Sequence, residues 1–76
     1  MTGRKPAEEA PIPNRIAELR VRADLSRAEL AERVGVNPQT IGYLERGEYN
    51  PSLALAFRLA DLFGLTIEQI FARESG

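Results

Sequence analysis

The stretch from Ser26 to Gly47 constrains the fold more than any other, because it specifies two short helices separated by a glycine. Ser26 is followed three residues later by Glu29, which forms a capping box: hydroxyl and carboxylate each accept a hydrogen bond from an N–H at the helix start. Gly35 can adopt a positive φ at little steric cost and turn the chain. Asn37 then caps a second helix that opens on proline, and Gly47 ends it.

The second of these helices has two chemically different faces. At about 100° per residue, Ile41 and Leu44 fall at roughly 300° and 240°, whereas a second set of residues spans roughly 40° to 140°. That set is Gln39, Gly42, Tyr43 and Arg46. One face is therefore predicted to pack on a core, while the other offers an amide, a phenol and a guanidinium that can contact base edges. This division is what a helix-turn-helix motif requires.

One helix and a proline-rich arm precede the motif. Ile16, Leu19 and Ala23 recur at helical spacing, which predicts a helix from Asn14 to about Ala23 with these three side chains facing the core. Residues 1–13 contain three prolines and little apolar content, so we expect a flexible N-terminal arm.

A strongly apolar helix is predicted after the motif, starting at Ser52 and ended by Gly64. Its apolar residues span about 220°, more than burial in one small domain usually demands. Leu55 and Leu62 lie outside the predicted core arc, and they are interpreted either as a wide core face or as a candidate homodimer surface. The residues placed on the core arc are Leu53, Ala56, Phe57, Leu59, Ala60 and Phe63.

A short fifth helix closes the predicted domain. Thr66 and Gln69 form a second capping box, and Ile70 with its apolar neighbours supplies a buried face. The folded domain is therefore expected to cover residues 14–72, with a frayed C-terminus at 73–76.

Composition excludes several classes of function. The 76 residues contain neither cysteine nor histidine, which argues against a disulfide framework, a thiolate metal site and histidine-based catalysis. We find no catalytic or metal-binding constellation, so no enzyme activity, cofactor or small-molecule ligand is expected. No apolar run approaches the roughly 18 residues of a membrane span, and no secretory signal is present. A cytoplasmic protein without a membrane partner is predicted.

The chain resembles the Cro/cI-type, phage-repressor-like helix-turn-helix domains of the XRE family. The resemblance runs from about Asn14 to Phe71 and is carried by LSRAELAERVGV, TIGYLERG and NPSLALAFRLADLFGLTIEQIF, each at the family's usual spacing. It implies an all-α fold of five helices, with the helix-turn-helix at helices 2 and 3. In particular, the chain looks like the short stand-alone bacterial and archaeal regulators that consist of little besides this domain.

The resemblance also implies which residues contact DNA. Arg27 matches a position at the start of helix 2 whose side chain contacts a backbone phosphate in relatives, although a surface salt bridge is the competing interpretation. The positions that reach base edges in relatives hold Pro38, Gln39 and Tyr43, with Asn37, Thr40 and Arg46 beside them.

Two of these positions depart from what a recognition helix ordinarily holds. Pro38 cannot donate a hydrogen bond, so it either packs on a thymine methyl group or presets the helix. Gly42 costs about 1 kcal/mol relative to alanine in a helix interior, and either close approach to DNA or simple drift would account for it. Arg20 and Glu45 match a pair that forms a structural salt bridge between helices 1 and 3 in relatives.

Together these observations predict a sequence-specific regulator of transcription that binds double-stranded DNA. Two copies related by a twofold axis would read a palindromic operator with half-sites about 10 bp apart, and occupancy would most simply repress transcription. The alternative is an antitoxin or adaptor that binds a partner protein through helices 4 and 5.

Overall fold

The computed structural model describes residues 12–72, and the predicted class is confirmed, since these residues form five helices and no strand. The arm predicted at 1–13 lies almost entirely outside the described residues, as does the C-terminus predicted to fray at 73–76. The helices are α1 (Ile16–Arg22), α2 (Arg27–Val34), α3 (Pro38–Glu45), α4 (Leu53–Phe63) and α5 (Ile67–Ile70).

Local hydrogen bonds explain where the two motif helices begin and end. The backbone N–H of Glu29 donates to Ser26 Oγ at 3.0 Å, and the N–H of Ser26 donates to Glu29 Oε1 at 2.8 Å. Gly35 ends α2 with φ of 79°, a left-handed conformation that favours glycine. Asn37 Oδ1 then accepts from the N–H of Thr40 at 3.0 Å and caps α3. The geometry of the motif is thus set by contacts within a few residues of sequence.

The core is apolar and draws on all five helices. In α1 it takes Ile16 and Leu19, but Ala23 is exposed at the helix end, so its predicted core position is wrong. The side chains that are essentially inaccessible to solvent are Ile16, Leu30, Val34, Ile41, Leu44, Leu59 and Ile70.

Helix α4 is rotated relative to the sequence prediction. Leu53 and Phe57, which the helical pattern places on the core arc, are 67% and 53% exposed, whereas Leu55 is only 3% exposed. Leu62 is partly buried and packs against the core. The interpretation of Leu55 and Leu62 as a dimer surface is therefore wrong. The physical reason is that contacts with α2 and α5 fix the rotation of α4, and all these side chains are apolar enough to be buried.

The two ends of the described chain meet beside the end of α3. Asn14, predicted as the first residue of α1, instead forms an antiparallel bridge with Phe71, and the helix begins at Ile16. Its Nδ2 donates to the carbonyl of Leu44 at 2.8 Å, while its Oδ1 accepts from the N–H of Ile16 at 3.0 Å. Asn14 therefore gives a second donor to a carbonyl in the last turn of α3, which also accepts from the N–H of Gly47.

Candidate nucleic-acid interface

Helix α3 is fixed on one side and accessible on the other. Ile41 and Leu44 are completely buried in the core, whereas Tyr43 is exposed. The exposed side borders a shallow depression of about 250 Å³ that also reaches the first residue of α2. The structure brings together here most of the residues predicted to contact DNA, namely Arg27, Pro38, Gln39, Gly42, Tyr43 and Arg46.

The two remaining candidates, Asn37 and Thr40, cap the helix. Asn37 Oδ1 accepts hydrogen bonds from both the N–H and the hydroxyl of Thr40, at 3.0 and 3.3 Å. The oxygen is therefore engaged within the protein, which leaves the two N–H donors of the exposed Asn37 amide for an outside partner.

Glu45 joins three helices through two arginines. Its Oε2 accepts from Arg20 Nε on α1 at 2.6 Å, and its Oε1 accepts from Arg27 Nε on α2 at 2.9 Å. Arg20 also donates to the carbonyl of Leu25 at 2.9 Å. Only 3% of the Glu45 side chain is exposed, so this carboxylate fixes the angle of α3 against both preceding helices.

Arg27 forms a salt bridge, one of the two interpretations that the sequence left open, and stays exposed enough for the other. Its Nε is committed to Glu45, but 54% of its side chain is exposed at the start of α2. A guanidinium carries five N–H donors, so the groups at its outer edge can still bind a phosphate while Nε holds the carboxylate. The salt bridge therefore orients this arginine and leaves it able to bind an anion.

The start of α2 already contains a carboxylate. Hydrogen bonds from Ser26 hold the pKa of Glu29 below its usual range, so this side chain stays ionised next to the N–H groups of the first turn. The first turn of α2 therefore carries a negative charge of its own in addition to the positive charge of Arg27.

Gly42 has a physical explanation within the protein. A Cβ at this position would lie 3.2 Å from Arg46 Nη1, because the Arg46 side chain crosses over the glycine. The same guanidinium lies 5.2 Å from the centre of the Tyr43 ring, at cation–π distance. The glycine thus lets Arg46 lie flat along the exposed face of α3.

Two charged residues near the motif were not predicted from the sequence. Glu48 holds Arg46, with its Oε2 3.2 Å from Arg46 Nε. Arg58 on α4 donates from Nε to the carbonyl of Val34 at 2.9 Å and so closes the end of α2. In the sequence, only the preceding Gly47 indicates where Glu48 lies, because this glycine reverses the chain after α3.

Neither a membrane span nor a metal site occurs in the part of the chain that the structure describes. No helix there is long and apolar enough to cross a membrane, and no three side chains of histidine, cysteine, aspartate or glutamate are grouped to hold a metal ion.

Known proteins share this sequence pattern and this fold. A regulator of the helix-turn-helix type from Archaeoglobus fulgidus is 51% identical over 57 residues, which are 75% of this chain and 80% of the relative. The cryptic phage CTXphi transcriptional repressor RstR of Vibrio cholerae is 33% identical over 57 residues, or 75% of this chain and 51% of the repressor. The crystal structure of the restriction-modification controller protein C.AhdI from Aeromonas hydrophila superposes with a TM-score of 0.66 at 33% identity, covering 72% of this chain and 83% of that one.

The family model matches all five helices of the fold. The helix-turn-helix model aligns with residues 16–70, from the first residue of α1 to the last residue of α5. The interface described above lies within that range, on the helix that gives such motifs their function. The chain therefore belongs to the Cro/cI-type helix-turn-helix family, whose members are DNA-binding regulators of transcription.

Proposed function

We propose that this chain is a sequence-specific repressor that binds a palindromic operator in double-stranded DNA as a homodimer. One observation carries the proposal. The exposed side of α3 and the first residue of α2 present an amide, a phenol and two guanidinium groups around a single depression, while the other side of α3 is completely buried. A helix held in this way can enter the major groove as a rigid element.

Four of the side chains at the depression have distinct roles in the proposal. Gln39 in the first turn of α3 forms two hydrogen bonds with an adenine, the contact that its amide geometry suits. Tyr43, one turn later, places its ring and hydroxyl against the next base. Arg27 binds a phosphate of the backbone and so sets the register of the helix without reading sequence. Pro38 presets the first turn of α3 and offers only apolar contact.

The homodimer surface that we propose is the exposed apolar edge of α4. Leu53 and Phe57 lie there, and Phe57 continues into a groove of about 480 Å³ between α4 and α5 that is also lined by Leu65 and Ile67. In a second copy related by a twofold axis, the same patch of α4 would pack against this one, and both would be buried. Its α3 would then lie about 34 Å away, in the next major groove.

Repression is the regulatory output that we propose, acting in the cytoplasm, where bacterial and archaeal DNA lies. A dimer that covers two adjacent major grooves at a promoter excludes polymerase by occupancy alone. A relative of this chain, RstR, is a transcriptional repressor, which supports this direction of regulation.

The test is selection of bound sequences from random duplex DNA, carried out with the parent chain and with Gln39→Ala and Tyr43→Ala. We expect the parent to enrich a palindrome with half-sites about 10 bp apart, and each variant to lose preference at one position of each half-site. Arg33→Ala is the matched control, since Arg33 is exposed on α2 and absent from the depression, and it should enrich the parental sequence.

Failure of this selection would favour the second candidate function. If no sequence is enriched by any of these proteins, the apolar groove between α4 and α5 supports an antitoxin or adaptor that binds a partner protein there. Enrichment of a single half-site would instead retain base recognition and reject the homodimer.

A further inference from the structure

The turn after α3 places an acidic residue beside one of the proposed DNA-binding arginines. Gly47 has φ of 73°, and its N–H donates to the carbonyl of Leu44 at 3.0 Å. The N–H of Glu48 donates to the carbonyl of Tyr43 at 2.9 Å. This pair of bonds is a Schellman motif, which folds the chain back over the last turn of the helix. The position of Glu48 is therefore set by backbone geometry.

Three contacts hold the Arg46 side chain in one place. Its Nε is 3.2 Å from Glu48 Oε2, its guanidinium carbon is 5.2 Å from the centre of the Tyr43 ring, and its Nη1 lies over the space that Gly42 leaves open. About half of each partner in the ion pair remains exposed, so a phosphate or a base can compete with Glu48 for the arginine.

Both arginines that border the depression are paired with a carboxylate. Arg27 donates to Glu45, and Arg46 forms an ion pair with Glu48. The chain also has a net charge of −1, so nothing in its overall charge attracts DNA. Sequence-independent binding depends on basic side chains that neutralise phosphates, and the two arginines at the depression each have a carboxylate beside them that offsets part of their charge.

We infer that Glu48 is a specificity-determining residue of the DNA interface. In the free protein it pairs with Arg46 beside the Tyr43 ring and offsets part of its charge, so that phosphates of arbitrary sequence must compete with Glu48 for the guanidinium. A duplex releases Arg46 only where the remaining base contacts bring α3 fully into the groove. Glu48 therefore weakens binding to random DNA more than binding to the preferred sequence. This inference rests on the function proposed above.

The first experiment measures binding of Glu48→Gln to a random-sequence duplex and to the sequence that the parent protein enriches, at two salt concentrations. We expect affinity for the random duplex to rise about two- to fivefold, the range that loss of an exposed ion pair allows. We also expect the log–log salt slope to steepen by up to about 0.9, as one more phosphate contact would produce. Affinity for the enriched sequence should rise less, so the ratio between the two affinities should fall.

Glu32→Gln is the matched control, because Glu32 is an exposed carboxylate on α2 outside the depression. It makes the same change in net charge and should leave the ratio unaltered. A ratio that changes equally in Glu48→Gln and Glu32→Gln would overturn the inference and leave general charge as the cause.

A second comparison separates the arginine from simple repulsion between Glu48 and DNA. In an Arg46→Ala background, Glu48→Gln should have no effect on binding to the random duplex, because no guanidinium remains to be released. An undiminished effect in that background would overturn the inference. Failure of the parent to enrich any sequence would count against the proposed function itself, and so the two failures are distinguishable.

Discussion

Arg20 on α1 and Glu45 on α3 form a mostly buried ion pair, with Arg20 Nε 2.6 Å from Glu45 Oε2. Only 14% of the arginine side chain and 3% of the glutamate side chain are exposed. Because Glu45 is the last residue of α3, this contact sets where the recognition helix ends relative to the body of the domain. A second arginine, Arg27, binds the other oxygen of the same carboxylate. The two arginines therefore share a partner but differ in burial, so replacing one should lower the free energy of unfolding by a different amount from replacing the other.

We predict that Arg20→Ala lowers the free energy of unfolding by about 3 kcal/mol, at the lower end of the range for breaking a buried ion pair. The lower end applies because Arg27 still neutralises Glu45 in that variant. Arg27→Ala removes an exposed partner and should cost at most about 1 kcal/mol. Urea titrations of both variants measure the difference. Equal losses in the two variants would contradict the buried role of Arg20.

The rotation of α4 predicts opposite phenotypes for two neighbouring apolar residues. Leu55→Ala removes a buried side chain and should destabilise the domain by about 2 to 5 kcal/mol. Phe57→Ser should change the stability of the monomer little, but it should abolish the homodimer, because Phe57 is exposed on the proposed dimer surface.

Thermal melts and sedimentation at tens of micromolar test both predictions. Val21→Ser is the control for removal of an exposed apolar side chain, because Val21 lies on α1 with 64% of its surface exposed. A Phe57→Ser protein that remains dimeric would show that the second copy binds elsewhere.

Local chemistry explains what could be predicted from the sequence, and long-range packing explains what could not. The boundaries at Ser26, Gly35 and Asn37 were predictable because each is set by hydrogen bonds or backbone freedom within a few residues. The bridge between Asn14 and Phe71 was not, because it depends on the two ends of the domain meeting.

The candidate interface also has features that the sequence predicts and features that it does not. The exposed face of α3 followed from helical periodicity, so Gln39 and Tyr43 lie where the pattern placed them. The acidic partners of Arg27 and Arg46 could not be predicted in this way. Glu45 reaches Arg27 only through the packing of α2 on α3, and Glu48 reaches Arg46 only through the turn at Gly47. The core face of α4 was predicted only in part: Ala56, Leu59 and Ala60 are buried as the pattern placed them. The rest could not be predicted, because the leucines and phenylalanines of this helix are equally suited to burial.

Gly42→Ala is predicted to raise the free energy of unfolding by up to about 1 kcal/mol, since alanine has the higher helix propensity. The new Cβ would lie 3.2 Å from the end of the Arg46 side chain, which is flexible and can move by a few tenths of an ångström. Gly64→Ala, measured in parallel, should be destabilising because Gly64 has φ of 67°. Loss of stability in Gly42→Ala would indicate that Arg46 cannot move aside.

The capping box at the start of α2 predicts a dependence of stability on pH. Hydrogen bonds from Ser26 lower the pKa of Glu29 in the folded state. A carboxyl group whose pKa is lower in the folded state adds stability that is fully present above its unfolded pKa and is lost as pH falls through its folded pKa. Stability should therefore fall on acidification below the usual range of a glutamate.

Glu29→Gln tests this assignment, because glutamine can still accept the hydrogen bond but does not titrate in this range. Part of the acid-induced loss should disappear in that variant. Another part of the acid-induced loss of stability should remain, because Arg15 and Arg22 also lower the pKa of Glu18. An acid-induced loss that is the same in Glu29→Gln as in the parent would contradict the assignment.

Arg27 should determine how strongly DNA binding depends on salt, without affecting which sequence is preferred. Its exposed guanidinium at the start of α2 can neutralise one phosphate, so Arg27→Ala should weaken binding to every duplex and reduce the log–log salt slope by about 0.9 for each phosphate that is no longer neutralised. Arg33→Ala removes the same charge from the other end of α2 and should leave the slope unchanged. Titrations of labelled duplex at several salt concentrations measure both slopes. If Arg27→Ala altered the enriched sequence but not the slope, Arg27 would be a base contact, and Glu45 would then orient it toward the groove instead of the backbone.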